Sequence, residues 1–79
     1  MNPEEIKALL QQHLPTAQII IEGEDGRHFT AIVVSADFRG KNRVEQQQMI
    51  YAALGSYITS GKIHALSLKT YTPEEYQQR

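Results

Sequence analysis

Seventy-nine residues with eight Lys and Arg, nine Asp and Glu and no cysteine describe one small domain of formal charge −1. A chain of this length buries only a little over about 60% of its unfolded surface, which argues against a deep catalytic cleft. The missing basic excess argues against a dedicated nucleic-acid binder, and the missing thiols exclude disulfides, thiolate sites and sulfur nucleophiles.

The first predicted element is a helix. Asn2 caps it, Pro3 suits its first position, and Glu4 and Glu5 favour the positive end of its dipole. Ile6, Leu9, Leu10 and His13 follow helical spacing and mark the expected buried stripe, and Pro15 ends the helix at or just before Leu14. Such a start is unlike a signal peptide, and no apolar run approaches a membrane span. A small domain without disulfide staples is expected in the reducing cytoplasm.

Two strands come next. Gln18 to Gly23 contains three consecutive Ile, and His28 to Ala36 alternates Phe29, Ala31 and Val33 with His28, Thr30, Ile32 and Val34. The intervening Glu24-Asp25-Gly26-Arg27 reads as a hairpin turn. Ile19, Ile21, Ile32 and Val34 are expected on the outer face beside Tyr71, an apolar patch suited to a protein partner or a homodimer.

Asp37 to Asn42 is a polar loop. A long helix then runs from Asn42 or Arg43 to Ser60, its stripe formed by Val44, Gln47, Tyr51, Leu54 and Ile58 and broadened by Ile50 and Tyr57. Gly61 stops it in a left-handed turn. Ala65 to Tyr71 is the third strand, with Leu66 and Leu68 toward the core, and Thr72-Pro73-Glu74-Glu75 opens a short final helix. The fold class is therefore α+β: helix-strand-strand-helix-strand-helix, a three-stranded sheet with its helices on one face. If the second and third strands are parallel, the helix between them makes a right-handed crossover.

Little in the chain points to catalysis. The serines have no base at a recognisable triad spacing, and the paired glutamates are explained as helix-start charges. Arg39, Lys41 and Arg43 cluster around Gly40, where a helix start and three cations could hold a phosphate. Only one glycine of the Gly-x-x-Gly loop used by KH domains is present, so a solvated loop facing an acidic partner is favoured over nucleic acid.

Two segments carry a resemblance. His28-Phe29, Ile32-Val33-Val34-Ser35, Phe38 and Gly40 form one; the other runs from Ile63-His64-Ala65-Leu66 through Thr72-Pro73-Glu74-Glu75. Together they resemble the BolA-like family over nearly the whole chain, and within it the IbaG or YrbA branch. Many members have Arg-His-Arg near the start of the long helix; Gln46, Gln47 and Gln48 stand at the corresponding positions here.

The resemblance implies a fold akin to the type II KH domain. It also implies a non-enzymatic adaptor that partners a cytosolic monothiol glutaredoxin and contributes a histidine to a shared two-iron, two-sulfur cluster with glutathione. A nucleic-acid-binding or stress-response regulator is the alternative. His64 matches the family's ligand histidine. Read from spacing alone, it is in phase with Leu66 and Leu68 and suits a hydrogen-bonded margin of the core better than a ligand. The second ligand is open: His28 and Asp25 are the donors nearest the hairpin turn, and His28 is as well explained as a half-exposed strand residue. His13 is read as a contact with the negative end of the first helix.

Overall fold

Asn2 caps the first helix as its chemistry dictates. Its Oδ1 accepts the Glu5 N–H at 2.9 Å, while Glu5 Oε1 accepts the Asn2 N–H at 3.3 Å. In the computed structural model, which describes residues 2–23, 25, 28–63 and 65–78, this helix is α1, Pro3–His13. Ile6 and Leu10 are buried, whereas His13 is exposed and lies outside the stripe expected of it. Its Nδ1 is 3.2 Å from the Leu9 carbonyl in the last turn, consistent with a contact at the helix's negative end.

Strands β1 (Gln18–Glu22) and β2 (His28–Val34) pair antiparallel, and β2 pairs parallel with β3 (Ala65–Tyr71). The order β1-β2-β3 leaves β1 and β3 at the edges. Register decides which side chains share a face. Ile19 is opposite Val33 and Ile21 opposite Ala31, and those β2 residues are opposite Thr70 and Leu68. These residues line the core under α1 and the second long helix. Ile19 and Ile21 therefore point inward, contrary to the expected outer patch; Ile20 joins Ile32, Val34 and Tyr71 on the other face. Three identical residues in a row have no alternation of their own, so pairing alone sets their phase.

β2 ends at Val34 rather than Ala36 because Ser35 turns the chain. Its hydroxyl accepts the Asp37 N–H at 3.0 Å and starts a single 3₁₀ turn, Ala36–Phe38, that drives the Phe38 ring into the core. The next turn is closed by Lys41 N–H on Phe38 O at 3.2 Å. Arg39 at φ −62, ψ 135 and Gly40 at φ +77 make it type II, a turn that favours glycine at its third position.

Helix α2 spans Arg43–Thr59, capped by Asn42 and Glu45 in the reciprocal pattern seen at α1. Gly61 at φ +83 terminates it as expected. Its buried face is Gln46, Ile50 and Leu54, with Ala53, Tyr57 and Ile58 alongside. Val44 and Tyr51, expected on that face, are 62% and 42% exposed. A glutamine takes the first core position and shifts the stripe. The short α3 (Pro73–Gln78) follows β3, with the Tyr76 ring 5.6 Å from Tyr71 and tilted by 55°.

Phe38, Ile6, Leu10, Ile50, Leu54, Ile63 and Val33 are the largest fully buried side chains, each stabilising the fold by about 1.5–3 kcal/mol. They join α1, α2, β2 and the loops into one core. No helix among the described residues is long and apolar enough to cross a membrane.

Candidate functional site

The predicted site residues that the structure describes fall at opposite ends of the parallel β2–β3 pair. Seven residues of strand separate the ends by about 20 Å.

At the starting end stands His28, the first residue of β2. Its imidazole Nδ1 lies 2.6 Å from Asp25 Oδ2, and its backbone N–H donates to Asp25 Oδ1 at 2.8 Å. An ionised carboxylate can only accept, so the Nδ1 proton is the one shared and a neutral ring carries its lone pair on Nε2. The ring is exposed, with 62% of the side chain accessible. A carboxylate hydrogen-bonded to one imidazole nitrogen is the arrangement that orients metal-binding histidines. Ala65 is registered opposite His28. The residue before it, His64, lies outside the described residues.

A cluster with sulfide-bridged irons needs four terminal ligands, thiolate by preference and imidazole in some cases. Among the described residues no group of three or more His, Asp or Glu side chains is gathered for a metal ion. With no cysteine in the sequence, the donor chemistry at this end fits one or two positions of a cluster whose remaining ligands come from elsewhere.

At the finishing end the basic loop is brought together, but with carboxylates. Arg39 Nε donates to Glu74 Oε1 at 2.6 Å and Nη2 to Oε2 at 3.1 Å, a two-pronged pair. Arg43 Nη2 reaches Glu75 Oε2 at 3.5 Å, Arg43 Nη1 donates to the Thr70 carbonyl, and the guanidinium carbon lies 5.7 Å from the centre of the Tyr71 ring. Lys41 is exposed, and Gly40 supplies the type II turn. Hydrogen bonding to Arg39 is the main reason the Glu74 carboxyl sits below its usual range, followed by its own backbone N–H. The Arg39 pKa is raised by the same partner, through the hydrogen bond first and charge second. Glu75 is lowered chiefly by the Thr72 N–H, with Arg43 a lesser cause. These groups are exposed, and solvent weakens such pairs.

Beneath this surface lies a residue that spacing did not single out. Gln46, only 4% exposed, donates from Nε2 to Lys41 O at 2.8 Å and Phe38 O at 3.2 Å. Its Oε1 accepts from Thr70 Oγ1 at 2.6 Å and Arg43 Nη1 at 3.3 Å. One amide therefore ties loop, helix and β3 together. Among the described residues no buried side-chain nitrogen or oxygen lacks a partner. The available signal was its position four and eight residues before Ile50 and Leu54.

A three-stranded mixed sheet with this element order defines a recognisable class. Residues 3–75 match the family described as BolA-like protein, and the chain belongs to that family. It is 41% identical to the acid stress protein IbaG of Escherichia coli K12 over 96% of this chain and 89% of the relative. A BolA homologue from Coxiella burnetii superposes with TM-score 0.84 at 42% identity, covering 98% of this chain and 97% of that one. The BolA domain of SufE1 from Arabidopsis thaliana does so with TM-score 0.81 at 32% identity, covering 92% and 93%.

Proposed function

We propose that this protein is a non-enzymatic adaptor in iron–sulfur metabolism. It pairs with a monothiol glutaredoxin and contributes imidazole ligation to a two-iron, two-sulfur cluster held jointly with glutathione. The observation that carries the reading is the exposed His28, oriented by Asp25 and registered opposite the residue that follows His64. Family membership supports it, and a chain without thiolate needs a thiol-bearing partner to complete such a site. His64 is assigned the principal ligand role and His28 the second. Nucleic-acid binding ranks lower because Arg39 and Arg43 already engage Glu74 and Glu75.

The test mixes the protein with a monothiol glutaredoxin, glutathione, ferrous iron and sulfide, then follows absorbance and particle size. Wild type is expected to form a heteromeric, coloured complex. His64→Ala is expected to weaken or spectrally alter it, and His28→Ala to do so less. Unchanged spectra and cluster lifetimes in both variants would overturn the histidine assignment; failure of wild type to join the glutaredoxin would overturn the adaptor reading.

A further inference from the structure

We propose that the outer edge of β3 is a docking strand for an extended, acidic segment of a partner protein. β3 is an edge strand, so every second residue turns its backbone N–H and C=O away from the sheet. Two hydrogen bonds fix which ones. Tyr71 O accepts the Ser35 N–H at 3.0 Å and so faces β2, whereas Thr70 O accepts from the Arg43 guanidinium on the other side. Residues 65, 67, 69 and 71 therefore bond inward, and Leu66 and Leu68 present their backbone groups outward. At Thr70 the carbonyl is already taken, which limits pairing to the stretch Ala65–Lys69.

The two edges of the sheet differ. Along β1, Pro3, Glu4 and Lys7 of α1 stand against Ile19, Ile20 and Ile21, a cleft of mixed charge overhung by a helix. Along β3, a groove of about 270 Å³ is lined by Arg43, Gln47, Leu68, Lys69, Thr70 and Tyr71. Its lining includes the exposed Lys69, and Arg43, whose guanidinium is already engaged with Glu75 and the Thr70 carbonyl. Backbone pairing supplies affinity in strand addition, and flanking side chains supply selectivity. Here the exposed Lys69 selects glutamate or aspartate on the incoming strand. It disfavours a second copy of this strand, which would bring a further Lys69.

The inference is independent of the cluster reading, and its test uses no iron. The probe is a capped hexapeptide alternating valine and glutamate, with a valine–lysine counterpart as control. Backbone amide resonances and hydrogen exchange are followed at rising peptide concentration. In the free protein the Leu66 and Leu68 amides are expected to exchange at least about tenfold faster than those of Ser67 and Lys69. The acidic peptide is expected to shift resonances 66–70 and slow exchange at 66 and 68, and the lysine peptide to do neither. Lys69→Glu, at an exposed position, is expected to weaken the acidic peptide severalfold while leaving the fold intact. Equal binding of both peptides, no response at millimolar peptide, or response confined to residues 39–41 would each overturn the proposal. Protection of Leu66 and Leu68 that grows with protein concentration alone would overturn it in favour of a second copy.

Discussion

The two ends of the parallel strand pair use similar residue types to opposite effect. At the finishing end, Arg39, Arg43, Gln46 and Thr70 bond partners 24 to 35 positions away in sequence, so each contact joins separate elements. At the starting end, His28 is paired with Asp25, only three residues away, and its ring remains accessible. Long-range side-chain bonds stabilise tertiary structure; a local pair orients one side chain without joining distant elements. Polar residues join separate elements at one end, and at the other they pair across three positions of one hairpin.

The sharpest way to break this contrast is to remove Gln46. Gln46→Ala leaves the Thr70 hydroxyl and the Phe38 and Lys41 carbonyls short of a partner, and is expected to cost on the order of 3 kcal/mol. Urea unfolding should show a lower midpoint with an unchanged slope. A smaller loss is expected from Gly23→Ala at the other end, where an added methyl would overlap the buried Phe29 ring and lie 2.9 Å from the His28 carbonyl. Overpacking of this kind costs about 1–3 kcal/mol, and the His28 and Phe29 resonances should move with it.

The ion pair is expected to act through pH. Glu74 and Glu75 have folded pKa values below the ordinary carboxylate range, so their contribution is complete above that range and is lost as pH falls through the depressed values. Arg39→Gln should return the Glu74 titration, followed by carboxyl NMR, toward normal. It should also flatten the stability curve between about pH 5 and pH 2, the variant lying below wild type at pH 7 and converging with it in acid. The smallest effect on folding is expected from His28→Ala, within about 0.5 kcal/mol, because the ring is exposed. A large loss of stability there would show that the histidine end is structural after all.

Helix starts and stops were legible because capping is local chemistry. Asn2, Pro3, Asn42 and Gly61 act where their types indicate, and all three helices and three strands lie close to the expected ranges. What escaped the sequence was phase. Ile19–Ile21 carries no alternation, and α2 carries apolar residues on more than one side, so the register and the buried face are set by partners distant in sequence. In the sequence Gln46 stands with Gln47 and Gln48 as a departure from a basic triplet, whereas burial makes it a hub of the finishing end. Arg39, Gly40, Lys41 and Arg43 are grouped by their closeness in sequence. The group's pairing with α3 was invisible because Glu74 and Glu75 already had sufficient local reason to stand at a helix start.

Gln46 also acts as a ruler. Its amide nitrogen spans the carbonyls of Phe38 and Lys41, which the type II turn holds a fixed distance apart. Most surface connections absorb an extra residue at little entropic cost. An insertion between Phe38 and Lys41 would carry one carbonyl beyond the reach of that amide and spoil the turn that needs glycine at position 40. This connection therefore has a set length, and grafted sequence, tags or new chain termini placed here should be tolerated worse than their exposed position suggests.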